Sequence, residues 1–380
     1  MMITNFYLPT KIIFGLGSLA QLGAEAAKLG RKTILVTGKS SLRQTGILDR
    51  VVNDLKENGI ESLVYDRIEP NPRTVTVDAG AKLAKKNGVD LVIGIGGGSA
   101  MDAAKGITLA SSGSWLVWDY IGKGIEVKDK VPPLILVPTV AASGSEANCG
   151  AVITNWQIHE KCVLSSPHIY PSVSIIDPEL TITLPARSTL QGAVDIFCHL
   201  VEPYITSEKP EPLTDAIIEA SLRLVVMYLP QVLAQPDNVY NRSQLSWAST
   251  IACSPFTLLG GGNGAMTLHG IEHPLSGYYD IAHGDGLAAL LPAWMKYTYP
   301  VRQARFAALG RNVFGKPDGI KATEQWLQKV GMSKRLGELE IEIDRIGEMA
   351  DCAVRTAVWL KKHPNRLDTK TIAGIYRESY

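Results

Sequence analysis

The sequence predicts a two-part protein: an N-terminal α/β half built on a parallel sheet, then an all-helical C-terminal half. Three observations carry this. From about residue 30 to 180, short β-branched runs alternate with amphipathic stretches, the pattern of strands in one sheet with helices covering both faces. After Asp177 few convincing strands follow. A chain of 380 residues also exceeds what one ordinary core organises, so two domains are expected. The division assigns residues 1–184 to the α/β part and 185–380 to the helical part. Sites favour domain junctions, so the cleft between the halves is the expected location.

Each element has a local reason. KTILVTG, closed by Gly38, reads as a strand. In the following stretch to Gly59, Leu48, Val51, Val52 and Leu55 recur at helical spacing. ESLVYD is the next strand, and VTVDAGAKLAKKNG is a helix stopped by Gly88. VDLVIGIGGGS is a nearly all-apolar strand running into glycines, while PPLILVPT and VSIIDP are two further strands. From LPARSTLQGAVDIFCHLVEPYIT onward the reading is helical; EPLTDAIIEASLRLVVMYLPQVL crowds Ile217, Ile218, Leu222, Leu224 and Val225 along one segment.

Composition narrows the function classes. With 46% hydrophobic and 20% charged residues the chain belongs with soluble globular proteins. A net charge of +1 and the lack of a Lys/Arg cluster argue against nucleic-acid or membrane partners. The start lacks the basic and long apolar regions of a signal peptide. No uninterrupted apolar run reaches the length of a membrane-spanning helix. The five cysteines are odd in number, scattered and without a CxxC. Reduced thiols in the cytoplasm are the simplest reading.

Two glycine- and hydroxyl-rich turns follow buried strands. In GIGGGSAMDAAKG, Gly96, Gly97 and Gly98 let the backbone approach a phosphate closely. Ser99 is expected to cap the following helix, with Asp102 three residues on in a capping-box relation and Lys105 about a turn further. The turn is not GxGxxG. In VPTVAASGSEANCGAVIT, Thr139, Ser143 and Ser145 offer hydroxyls suited to a phosphate, ribose or amide. A plain packed loop would show the same composition.

The strongest signal is a set of metal-type donors. Asp195 and His199 stand four apart in a helical stretch, so both leave one face. His269 and His273 repeat that spacing, and His283 follows across HPLSGYYDIA, where Pro274 and Gly277 are read as turn punctuation. One histidine on such a face is usually structural; two i,i+4 pairs plus a third histidine point to a divalent ion. One of the histidines is surplus to a four-ligand site. Imidazole and carboxylate donors suit Zn, Fe(II), Co, Ni or Mn without choosing among them. Cys198 points away from the ligand face and is assigned to packing.

Together GGGSAMDAAK, PTVAASGSEAN, DIFCHLVEPYIT and HGIEHPLSGYYDIAHG resemble the iron-containing (group III) alcohol dehydrogenases, in family order and over about three quarters of the chain. DRIEPNP and the long GGGNGAMTLHGIEHPLSGYYDIAHG most resemble the butanol dehydrogenase and aldehyde reductase branch. The resemblance implies an N-terminal dinucleotide-binding α/β domain and a helical metal domain, the fold also of dehydroquinate synthase. It makes Asp195, His199, His269 and His283 the metal ligands, for Fe(II) or Zn. His273 becomes the surplus histidine, near nicotinamide and substrate, and a proton relay. Gly97, Gly98 and Ser99, with Asp102, become the pyrophosphate loop; Thr139 and Ser143 flank the cofactor, and Lys161 matches a lysine reaching its ribose. The implied substrates are small primary alcohols and aldehydes, and the implied assembly is a homodimer or larger homo-oligomer.

One departure bears on the cofactor. NAD-using members typically carry an aspartate after the first strand, and Gly38 stands there. A carboxylate would bind the ribose 2′-hydroxyl and repel a 2′-phosphate. With that repulsion gone and Lys39, Ser40 and Ser41 beside it, NADP(H) is expected. Alternatives are an NAD-linked 1,3-propanediol or lactaldehyde dehydrogenase and a dehydroquinate synthase-like lyase. The lyase needs cationic residues for its substrate, and the metal segments hold no Lys or Arg.

Overall fold

The computed structural model describes residues 5–127, 130–261 and 264–380. It separates into two compact units.

The first unit comprises residues 8–140 and 144–184. Its strands are β1 (Lys11–Phe14), β2 (Lys32–Gly38), β3 (Glu61–Ile68), β4 (Leu91–Gly96), β5 (Leu134–Pro138), β6 (Gly150–Asn155), β7 (Glu160–Ser165) and β8 (Val173–Ile176). Its helices are α1 (Leu22–Ala26), α2 (Ser41–Gln44), α3 (Ile47–Glu57), α4 (Thr74–Lys86), α5 (Gly98–Ser112) and α6 (Val117–Gly122). Six strands form one sheet in the order β1-β8-β5-β4-β2-β3, with every pairing parallel. Both faces are covered. On β2, Ile34 and Val36 join one core with Val77, Met101 and Ile107, while Leu35 joins the other with Leu48, Val51 and Leu55. That alternation is the two-residue period of a strand. The central β4 is buried throughout, as the continuous apolar run LVIGIG requires. At Gly94 a Cβ would stand 2.7 Å from the Ala104 Cβ, so α5 lies on the strand at a distance only glycine permits.

The strand order reverses around β2, since β3 lies on one side and β4 on the other. Open parallel sheets bind ligands outside the carboxyl ends of the strands at such a switch point. Thr37 pairs with Ile95, so Gly38 and Gly96 end adjacent strands side by side.

The second unit comprises residues 5–7, 141–143 and 185–380. It contains α7 (Ala186–Thr206), α8 (Pro212–Ala234), α9 (Val239–Ala252), α10 (Thr267–Tyr279), α11 (His283–Leu309), α12 (Gly319–Val330), α13 (Ile346–Thr356) and α14 (Thr369–Glu378). No strand follows Ile176 among the described residues. One core runs through the helices, from Phe197 and Leu200 through Trp294 and Phe306 to Tyr376.

Several local expectations need correction. The division is not a single cut after residue 184. Residues 5–7 and 141–143 cluster with the helices, where Ala142 N–H donates to Ser249 Oγ at 2.9 Å and Phe6 packs on Phe256. The strand β1 and the antiparallel hairpin β6–β7 were not foreseen. The stretch after Ser41 is two helices, broken at Gly46 with φ 73°. Pro274 and Gly277 do not punctuate a turn; α10 passes through both and ends at Asp280 in the left-handed region. Finally, α8 is long and apolar enough, by length and composition, to cross a membrane, with 33% of its most apolar window buried. Glu219 and Arg223 interrupt its apolar run, so no uninterrupted stretch reveals it. No disulfide joins the five cysteines among the described residues, and Cys198 lies in the helical core.

Candidate metal centre and nucleotide-binding edge

Helix α7 delivers Asp195, His199 and Glu202 from one face at spacings of four and three. Close backbone packing fixes that face. A Cβ at Gly284, in the first turn of α11, would stand 2.4 Å from the Gln191 carbonyl oxygen, so α11 starts against α7. Helix α10 contributes His269, Glu272 and His273, and α11 opens with His283.

These side chains converge. Asp195 Oδ1 lies 3.1 Å from His199 Nδ1, 3.4 Å from His269 Nε2 and 3.8 Å from His283 Nε2. Donor atoms of Asp195, His199 and His269 all lie within 4.8 Å of one another. Four tetrahedral donors at about 2.1 Å from one ion stand about 3.4 Å apart, so the separations from Asp195 Oδ1 to the Nε2 atoms of His269 and His283 suit a single divalent ion. The charge balance agrees. Asp195, Glu202 and Glu272 are buried carboxylates around these imidazoles, and buried anions require compensation. Burial opposes ionisation of Asp195, yet His199 holds its carboxyl well below the usual range. Burial also opposes charge on His199 and His269, but Asp195 and Glu202 respectively raise both. The donor set of three imidazoles and one carboxylate therefore fits Zn or Fe(II).

His273 is buried one turn beyond His269, its ring 5.9 Å from that of His283 and edge-on to Trp359 at 6.2 Å. Two participants escaped the sequence reading. Glu202 and Glu272 sit on the Nδ1 atoms of His269 and His283. Their spacing was informative, since each stands three residues after a histidine on the same helix face.

The switch point in the sheet unit gathers other predicted residues. Gly38, the loop starting at Gly97, and Thr139 follow the carboxyl ends of the consecutive strands β2, β4 and β5. The Thr139 N–H donates to the Gly96 oxygen at 2.9 Å. Lys39 and Ser40 are exposed, and Gly97, Gly98 and Ser99 are half-buried at the start of α5. Helix N-termini leave N–H groups for an anion. The expected capping box is absent: α5 starts at Gly98 with Gly97 as its cap residue, no side chain caps it, and Ser99 lies inside the first turn. Asp102 instead accepts the Ser145 hydroxyl at 2.7 Å and the Val152 N–H at 2.8 Å. Burial raises its pKa against the pull of Lys105. Lys105 is fully buried and donates to the carbonyls of Ser145, Asn148 and Gly150, holding the loop that precedes β6. Lys161 is buried on β7 opposite Thr154, and its charge favours the Asp102 carboxylate. Ser143 is half-buried and belongs to the segment that clusters with the helices.

Residues 9–178 match the iron-containing alcohol dehydrogenase model, and residues 189–380 match the C-terminal model of the Fe-containing alcohol dehydrogenase family. NADH-dependent butanol dehydrogenase B of Clostridium acetobutylicum is 36% identical, over 99% of each chain. The 1,3-propanediol dehydrogenase of Klebsiella pneumoniae is 30% identical, over 99% of this chain and 98% of that one. The crystal structure of NADH-dependent butanol dehydrogenase A from Thermotoga maritima superposes with a TM-score of 0.94 at 34% identity, covering 100% of this chain and 99% of that one. The chain belongs to the iron-containing alcohol dehydrogenase family. It is an oxidoreductase of the alcohol dehydrogenase class, with an α/β N-terminal part and a helical C-terminal part as that family has.

Proposed function

We propose that the chain interconverts small primary alcohols and aldehydes of the butanol–butanal kind, using one divalent ion and NADP(H). The observation that carries the reading is the convergence of His199, His269 and His283 on the Asp195 carboxylate. These four residues hold Fe(II) or Zn. When bound, the ion supplies Lewis acidity toward a substrate oxygen and the nicotinamide supplies the redox chemistry.

The chain's own residues do the rest. His273, buried one helical turn from His269, carries the proton at its imidazole. The α5 N-terminus at Gly97, Gly98 and Ser99 receives the pyrophosphate, with Thr139 beside it. Ser143 and Lys161 are assigned to the nicotinamide and ribose ends. Asp102 serves this edge indirectly, through Ser145 and Val152.

Gly38 supports the NADP(H) preference. A Cβ there would meet only the Ile68 oxygen, at 3.8 Å, so the position accepts a carboxylate side chain and this chain has none. A second reading, NADH preference, rests on the names of the butanol dehydrogenases it resembles. Metal content of the purified protein, with NADPH- and NADH-linked rates across C2–C6 aldehydes and their alcohols, separates the two. Equal or faster rates with NADH end the NADP(H) assignment, and no rate with any of these substrates ends the substrate assignment.

A further inference from the structure

Every histidine of the metal centre has an imidazole nitrogen to spare, and what holds that nitrogen determines how the ring is presented. His199 Nδ1 lies 3.0 Å from the backbone oxygen of Asp195, one turn back on its own helix. At His269 and His283 a carboxylate takes that place. Their Nδ1 atoms meet Glu202 Oε1 and Glu272 Oε2, and both carboxylates are 0% exposed. The opposite ring atoms, Nε2 in both cases, are the ones that approach Asp195.

We infer that Glu202 and Glu272 are paired positioning residues that fix His269 and His283 in the tautomer whose Nε2 lone pair faces the ion. The inference rests on the proposed metal centre and deepens it. An imidazole carries one proton when neutral, and a carboxylate accepts but does not donate. A carboxylate on Nδ1 therefore keeps the proton there and leaves Nε2 as a donor of electrons. Such outer partners hold ring orientation and raise ligand strength.

The two carboxylates are anchored differently. Glu202 Oε2 accepts the N–H of Leu268 at 2.6 Å and of His269 at 3.3 Å, so it also caps the first turn of α10. Glu272 Oε1 accepts the Ser276 hydroxyl. Room for Glu272 is made by Gly286, where a Cβ would stand 2.7 Å from that Oε1. Glu272, His273 and His283 also place donors within 4.8 Å of one another, which admits a rival reading as a second ion site. The contact between Glu272 and His283 Nδ1 already engages two of the three residues such an ion would need.

The anchoring dictates an asymmetric outcome. In Glu202→Gln the two backbone N–H groups claim the amide oxygen, so the amide NH2 faces His269 Nδ1. That NH2 donates, which makes Nδ1 an acceptor, moves the ring proton to Nε2 and removes a ligand. In Glu272→Gln the Ser276 hydroxyl can donate or accept, so the amide can turn its oxygen to His283 and keep the working tautomer.

The test is Co(II) and Zn(II) affinity by chelator competition, with the Co(II) visible spectrum and thermal unfolding of the metal-free protein. Glu202→Gln should lose affinity by about 10–100-fold and show an altered Co(II) spectrum, while its metal-free melting temperature stays near that of the parent. Glu272→Gln should lose less. Glu272→Ala, which takes the carboxylate away from His283 Nδ1, should lose affinity as Glu202→Gln does and replaces it if that variant folds poorly. Parent-like Co(II) affinity in Glu202→Gln or, failing that variant, in Glu272→Ala overturns the inference while leaving the metal centre standing. Two ions per parent chain, with one lost in Glu272→Gln, overturns it in favour of the second site. A parent that binds neither ion fails the metal centre itself.

Discussion

The two predicted binding regions are built from different materials. At the switch point of the sheet, the recognition surface is mostly backbone: strand ends, three glycines and the first turn of α5. In the helical unit, side chains form the centre, and nearly all are buried and ionisable. The difference teaches where each region is vulnerable. A backbone site fails when something is added, whereas a side-chain site fails when something is removed.

The largest expected effect lies in the helical unit. Asp195→Ala or His269→Ala should abolish stoichiometric metal and nearly all turnover, measured by elemental analysis and NADPH-linked rates. Removing one partner also leaves buried charge uncompensated, which costs about 3–5 kcal/mol. Metal-replete protein with parent-like activity in either variant would break the assignment.

Addition should damage the sheet edge more selectively. In Gly97→Ala the new Cβ meets Val140 at an ordinary 3.4 Å, so the fold tolerates it. The methyl group nonetheless stands in the proposed pyrophosphate loop. Cofactor Kd should rise by about tenfold, or ~1.4 kcal/mol, with melting temperature and metal content unchanged. A loss of metal would contradict the assignment of Gly97 to the cofactor alone. Gly38→Asp sharpens the same point. It should weaken NADPH by about tenfold more than NADH, through repulsion at the 2′-phosphate, and equal titration curves for both cofactors would refute the NADP(H) preference.

A smaller effect separates histidines inside the helical unit. His273→Ala should retain the ion but change the shape of the pH–rate profile; loss of metal would mean that His273, and not another of the set, is a ligand. His363 is the buried counter-example, away from the carboxylates. Burial pulls its pKa down to about 4, and its Nε2 lies 3.0 Å from Thr298 Oγ1. A depressed pKa means that the unfolded chain binds the extra proton more readily. Stability is therefore full above pH 6.5 and falls between 6.5 and 4, by up to roughly 3 kcal/mol at 1.36 kcal/mol per unit. Urea titrations of the parent and of His363→Gln across that window should show a shallower acid loss in the variant.

The same contrast explains what was legible in the sequence. Metal-type donors announce themselves because helical spacing is regular: Asp195 with His199 and His269 with His273 needed no fold to be seen. Their partners Glu202 and Glu272 followed the same spacing, but isolated acidic residues read as solvated until the helices are brought together. Strands with continuous apolar runs were equally visible. The four-residue β1 and the β6–β7 hairpin were not, because KIIF is brief and AVIT follows a loop of small residues. The role of Lys105 was hidden for another reason. Its partners are carbonyls of residues 145–150, and no local pattern encodes an acceptor forty residues away.

The most direct measurement is metal removal and restoration on the parent protein. Chelation should remove one divalent ion per chain and the alcohol-linked reduction of the nicotinamide together, and adding back Fe(II) or Zn(II) should restore both. Undiminished turnover in protein stripped of metal would contradict the account.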